Sequence, residues 1–146
     1  MLHGFFDHRS GRPMLTARLL LPRLNVNAQV AFMVDTGADT SMLGASDAQD
    51  AGVDFTRLSR RSTAVSISGL AHPYLEEAAL AFVDETSASY LVYRLDLEIL
   101  PVSTDVMEMP SLLGRDVLDR WRMVYDRENT ELTFETRGAD IVLPVP

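Results

Sequence analysis

Residues 33–43 read Met-Val-Asp-Thr-Gly-Ala-Asp-Thr-Ser-Met-Leu, and they overlap the end of an apolar run, Val-Ala-Phe-Met-Val, at 30–34. A strand that leaves the core on a carboxylate, Asp35, carries a cost, because an isolated buried charge is normally avoided. The cost falls when backbone N–H groups donate to the carboxylate, and Thr36-Gly37-Ala38 supplies a tight loop whose amides can turn toward it. Asp, Thr and Gly are also ordinary turn residues, so the tripeptide alone is compatible with a plain strand-ending turn. The flanking sequence has to separate the two readings.

Working outward, Pro13–Leu24 alternates well enough for a strand. An Asn25-Val26-Asn27 turn and the strand 28–34 complete a hairpin that runs into Asp35. The leader 1–10 reads as irregular. After the loop, Ser46 resembles an N-cap and Gly52 a stop signal, which predicts one small helical turn. Residues 62–68 and 74–84 flank Gly69-Leu70-Ala71-His72-Pro73 and predict a second, protruding hairpin. A long strand follows at 89–100, then a looser segment at 101–110, Ser111-Leu112-Leu113-Gly114, a helical 114–121, and a closing hairpin at 122–135. No internal repeat, low-complexity tract or linker is evident. The chain reads as mostly β and as one domain, since 146 residues with 47% hydrophobic composition can build a single core.

Composition excludes several functions. A formal charge of −8 repels phosphate backbones, and no Lys/Arg stripe offsets it, so nucleic acid is not an expected partner. No apolar run reaches membrane-spanning length and the N-terminal residues lack the apolar core of a secretion signal, so a membrane partner is not expected and the expected location is the cytoplasm. There is no cysteine, so any nucleophile must come from elsewhere. His3, Asp7 and His8 are close in sequence, but no further ligand set accompanies them and no metal site is expected.

Four features in order resemble the retropepsin family, the homodimeric retroviral-type aspartic peptidases: the apolar strand before Asp35-Thr36-Gly37-Ala38-Asp39, a downstream Gly-containing hairpin, the Leu112-Leu113-Gly114-Arg115-Asp116 segment, and the hairpin that closes the domain. The resemblance covers roughly residues 12–135. It implies a retropepsin-like closed β-barrel, one acid-protease lobe per chain, with one short C-terminal helix. The implied division is a leader 1–11 (a dimer strand or a removable segment), a peptidase domain 12–136, and a tail 137–146 (a counterpart dimer strand, interrupted by two prolines).

The family's chemistry uses two aspartates that share a proton, one activating water and the other protonating the carbonyl oxygen. Two carboxylates so close together cannot both ionise, which keeps that proton in place. Only one Asp-Thr-Gly is present, so the resemblance implies that the second carboxylate comes from a second copy of the chain, with Asp35 on a two-fold axis. Thr36 would hydrogen-bond across the dyad, and Gly37 would let backbone approach the substrate. Ala38 stands where many pepsin-like relatives carry a hydroxyl. Losing that hydrogen bond to the ionised site places the expected activity at mildly acidic to neutral pH.

Asp39 and Arg115 match the family's paired aspartate and arginine, and Arg12 resembles an arginine that reaches the partner subunit's loop aspartate. Ser68, Gly69 and Leu70 would form the flap over a polypeptide substrate. Here one glycine followed by Leu-Ala-His-Pro replaces a glycine-rich tip. Met33 and Leu112 are candidate walls of apolar subsites or ordinary core, His72 is a turn residue, and Trp121 and Tyr125 are expected to pack. No cofactor is needed. The alternative of another class is a dimeric peptide-binding or assembly module of the same fold that cleaves weakly or not at all. A monomeric barrel with an incidental Asp-Thr-Gly ranks last.

Overall fold

The computed structural model describes residues 1–62, 72–103 and 107–146. In chain order these form β1 (Leu2–His3), β2 (Phe5–Phe6), β3 (Pro13–Leu21), β4 (Val26–Val34), β5 (Met42–Leu43), α1 (Ala45–Asp50), β6 (Tyr74–Asp84), β7 (Ser89–Ile99), β8 (Leu112–Leu113), α2 (Arg115–Leu118), β9 (Trp121–Asp126), β10 (Glu131–Thr136) and β11 (Ile141–Pro144). Alternation sets the faces: Leu15, Ala17, Leu19 and Leu21 on β3 point inward with Val30, Phe32 and Val34 on β4.

Two antiparallel hairpins supply the barrel wall. β3 pairs with β4 from Met14–Met33 to Leu21–Val26, and β6 pairs with β7 from Tyr74–Ile99 to Asp84–Ser89. β3 joins β6 at Arg18–Leu20, while on the other side β4 runs parallel to β8, β8 meets β5, and β5 runs parallel to β7. That circuit closes a barrel of six strands, mostly β with two short helices. A smaller sheet, ordered β1-β10-β9, covers one side.

Local details depart from the sequence reading. The first hairpin turns at Pro22–Leu24, a 3-10 turn ended by Asn25 at φ +55°, and Val26 and Asn27 already belong to β4. Pro22 explains the shift, because proline cannot continue the ladder as a donor. Helix α1 is capped by Gly44, with Ser46 inside it and no side-chain cap. The leader is not irregular: β1 pairs with β10 and β2 with β3. Gly4 permits this, since a Cβ there would lie 2.7 Å from the Met14 carbonyl oxygen. The tail also pairs within its own chain, β11 against β7, and Pro144 sits at its last rung. Among the described residues, no helix is long and apolar enough to cross a membrane.

Phe82, Tyr93, Trp121 and Phe134 meet edge to face, with Phe82–Trp121 centroids 5.0 Å apart, under the junction of the two sheets. Trp121 therefore packs in the core, whereas Tyr125 is exposed and covers Phe6. The Tyr93 hydroxyl accepts from Trp121 Nε1 and donates to the Gly138 carbonyl, both at 2.8 Å, and burial pushes its ionisation upward. Tyr93→Phe leaves both groups without that partner. We expect a loss of about 2 kcal/mol, read as a lower urea midpoint with an unchanged slope.

Candidate active site

Asp35 is the first residue beyond β4. Its backbone N–H donates to the Leu113 carbonyl at 3.0 Å, extending the β4–β8 pairing by one bond. The carboxylate is half-buried, not buried, so the strand delivers it to the rim of the barrel. One loop amide turns back to it, Gly37 N–H to Asp35 Oδ1 at 2.9 Å, while the Ala38 N–H donates to the Asp35 carbonyl at 3.2 Å. A Cβ on Gly37 would come 3.2 Å from that same Oδ1, so the glycine keeps the carboxylate's approach clear.

Thr36 and Gly37 are exposed and Ala38 is buried. The loop is held from behind by the start of α2: Arg115 N–H donates to the Ala38 carbonyl at 2.8 Å and Asp116 N–H to the Asp39 carbonyl at 3.2 Å. The Arg115 guanidinium donates to the Thr36 carbonyl at 2.7 Å and pairs with the Asp39 carboxylate. Asp39 is 85% exposed, so the ion pair itself contributes little. The Thr36 bond is the part that fixes the loop. We therefore expect Asp39→Asn to change loop-dependent activity less than about threefold and Arg115→Met to lower it about tenfold or more, measured at matched folded protein.

Sequence reading missed a second layer. Ser41-Met42-Leu43-Gly44 and Ser111-Leu112-Leu113-Gly114 are repeats, each leading from a two-residue strand into a short helix that carries an acid, Asp47 or Asp116. They clasp each other. The Ser41 hydroxyl donates to Asp116 Oδ1 at 2.7 Å and accepts from Gly114 N–H at 3.0 Å. The Ser111 hydroxyl donates to Asp47 Oδ2 at 2.6 Å and accepts from Gly44 N–H at 2.9 Å. Ser41 N–H adds a bond to Asp116 Oδ2 at 2.9 Å. The signal was the repeated Ser-x-Leu-Gly, which corrects the reading that the chain holds no repeat.

Met33 and Leu112 are paired across β4 and β8. With Ala38, Met42, Ala45, Leu100, Met107 and Met109 they form a small apolar cluster separate from the main core and against the aspartate loop. Arg12 is exposed and has no side-chain partner among the described residues. Ser68, Gly69 and Leu70 lie outside the described residues. A cleft of about 370 Å³ lined by Leu2, His3, Arg18, Glu85 and Tyr90 holds no residue of the aspartate loop.

A barrel that presents Asp-Thr-Gly on a loop backed by a Gly-Arg-Asp helix start is the arrangement of an acid-protease lobe. The family model described as aspartyl protease matches residues 23–117, more than half of the chain. The chain belongs to the aspartyl protease family, as a retropepsin-like member. Its fold is similar to that of a retropepsin-like aspartic protease from Rickettsia conorii, with a TM-score of 0.53 and 23% identity over 93% of this chain and 91% of that one. Weaker likenesses are the retroviral protease-like domain of Ddi1 from Leishmania major, at TM-score 0.44 and 18% identity over 90% and 92% of the two chains, and EIAV protease in complex with the inhibitor HBY-793, at 0.37 and 18% over 77% and 90%. No curated protein matches the sequence.

Proposed function

We propose that the protein is a homodimeric aspartic endopeptidase in which Asp35 and its mate from a second copy hydrolyse peptide bonds of a bound polypeptide. The observation that carries this reading is Asp35 at the barrel rim, accessible, oriented by the Gly37 amide and braced by Arg115 through the Thr36 carbonyl. One carboxylate of a dyad sharing a single proton takes a proton from water as the water oxygen bonds to the scissile carbonyl carbon, and the other gives its proton to the carbonyl oxygen. The tetrahedral diol then breaks at C–N. The leaving nitrogen takes a proton from one carboxyl of the dyad while the other carboxylate takes a proton from a diol hydroxyl, so the dyad regains its single shared proton and the products are an amine and a carboxylic acid.

Thr36, exposed at the loop tip, bonds across the axis in this reading. Arg12 reaches Asp39 of the partner subunit, the segment around Gly69 covers the substrate, and Met33 and Leu112 line apolar subsites within the methionine-rich cluster. The test is cleavage of an unfolded protein such as casein across about pH 4 to 8 at several enzyme concentrations. Specific activity that rises with concentration supports a shared site. A folded, dimeric protein that binds peptide and never cleaves it overturns the peptidase reading in favour of a binding module.

A further inference from the structure

Strand register lines up two rows of side chains beside Asp35, and they face opposite ways. Val34 with Leu113, and Leu43 with Ile99 and Tyr74, belong to the main core. The neighbouring residues form the other row: Met33 pairs with Leu112, Leu112 with Met42, Met42 with Glu98, and Glu98 with Leu75. Directly opposed residues project on the same side of a sheet, so these five share the face turned away from the barrel core. Met33, Leu112 and Met42 lie in the apolar cluster against the aspartate loop, and the next member of the row is a carboxylate. We infer that Glu98 is a specificity residue of the proposed peptidase, receiving a Lys or Arg side chain of the polypeptide substrate about two to four residues from the scissile bond. The inference rests on the peptidase reading of the Asp35 site.

Spacing sets that position. From Met33 the row crosses β8 and β5 before it reaches Glu98 on β7, a distance of about 14 Å at the usual strand separation. An extended peptide advances about 3.4 Å per residue, so a chain laid along the row with an apolar side chain on Met33 and Leu112 passes Glu98 within about four residues. The length of a Lys or Arg side chain brings the contact closer to the scissile bond. On the shared-site reading the second copy offers the same acid on the other side of that bond.

Charge selects the ligand. Glu98 is half-buried, and its carboxylate receives the Ser62 hydroxyl at 3.4 Å, a long bond. Among the described residues no cation pairs with it, and residues 63–71 and 104–106 contain no Lys, Arg or His. The other charges on this face are placed differently. Asp96 is exposed and takes Arg60 at 3.4 Å, Glu77 stands exposed opposite Asp96, and Arg94 lies four residues before Glu98, about 13 Å away along β7. The segment 60–62 does not depend on the Ser62–Glu98 bond, because Leu75 N–H donates to the Arg60 carbonyl at 2.9 Å and Ser62 N–H to the Pro73 carbonyl at 2.8 Å. A half-buried carboxylate without a cation gains most from a charged donor, since it is screened less than a surface charge. The apolar members of the row then favour an apolar residue at the cleavage point, and Glu98 discriminates by charge further along the peptide.

The experiment is cleavage of synthetic peptides by the full chain, by Glu98→Gln and by Glu98→Lys. The peptides share a Leu-Phe bond and carry Lys, Gln or Glu at the second, third or fourth residue on either side of it. For the parent, kcat/KM of the best Lys peptide is expected to exceed that of its Gln counterpart about tenfold, with the Glu peptide slower still. Glu98→Gln is expected to bring the Lys-to-Gln ratio within about twofold of unity, and Glu98→Lys to favour the Glu peptide. Thermal unfolding checks that each variant is folded. A purely structural Glu98 slows all peptides alike and keeps the parent's ratio; that outcome, or a parent without a Lys preference, overturns the inference and leaves the peptidase reading standing. If the folded parent cleaves no peptide, the peptidase reading falls, and fluorescence anisotropy with the same peptides, labelled, decides the Glu98 site. Tighter binding of the Lys peptide that Glu98→Gln abolishes supports it, and equal or absent binding overturns it.

Discussion

On the proposed peptidase reading, Asp35→Asn is expected to lower peptide cleavage by about 10³-fold while leaving the protein folded and any self-association unchanged. The expected sparing of structure follows from the geometry. Asparagine keeps an oxygen where Oδ1 accepts the Gly37 N–H at 2.9 Å, and the Asp35 backbone bond to Leu113 does not depend on the side chain. The half-buried site orphans no buried charge when the carboxylate is removed. What is lost is the ionisable oxygen pair, the only group of the Asp-Thr-Gly loop able to take a proton from water. A shared dyad makes a sharper forecast: excess variant mixed into parent protein suppresses activity, because every mixed dimer carries one aspartate and one asparagine. The check is the initial rate on casein against the mole fraction of variant. Residual activity above about a tenth of the parent's places the base elsewhere, and a linear dilution without suppression means that each chain acts alone.

Much of this arrangement was legible in the sequence, for identifiable reasons. The long hairpins announce themselves through period-two alternation, as Leu15, Ala17, Leu19 and Leu21 show, and the Asp35 loop through the combination of Asp-Thr-Gly-Ala-Asp with the later Leu-Leu-Gly-Arg-Asp, since the tripeptide alone is ordinary turn sequence. Two-residue strands leave no period to read, so Leu2–His3 and Phe5–Phe6 were invisible. The first pairs with neighbours more than a hundred residues away, and both depend on the room Gly4 leaves. Pro22 outweighed the apolar pattern that continued through Leu24 and moved the first turn. The clasp between Ser41 and Asp116 spans 75 residues, and nothing local in either segment reveals that its serine faces the other's helix.

That clasp carries the largest stability effect we expect. Ser41 is fully buried, and its hydroxyl is at once donor to Asp116 and acceptor for Gly114 N–H. Ser41→Ala leaves a buried N–H and one carboxylate oxygen without that partner, at a cost of about 2 to 4 kcal/mol. Because Asp116 also receives the Ser41 N–H and lies beside the Arg115 and Asp116 amides that hold Ala38 and Asp39, the loosening passes into the aspartate loop. On the proposed peptidase reading, the expected outcome is a fall in kcat of about tenfold with KM little changed, partly restored by Ser41→Thr. Ser111→Ala breaks the mirror half of the clasp and differs in kind. Asp47 and Asp116 are both half-buried and the two serines equally buried, so the difference lies in what each half supports: Ser111 closes the segment that brings Met107 and Met109 to the apolar cluster. There we expect a comparable cost, about 2 to 4 kcal/mol, and a rise in KM with kcat retained. Gly114→Ala marks the upper limit, since a Cβ would sit 2.6 and 2.7 Å from the Thr40 carbonyl carbon and oxygen and 2.9 Å from the Ala38 oxygen, all backbone atoms of the loop it supports. Overpacking against backbone costs about 3 kcal/mol or more. Should Ser41→Ala and Ser111→Ala shift stability and both kinetic constants alike, the two halves of the clasp are equivalent scaffolding, and the link from Asp116 to the aspartate loop is not what sets the rate.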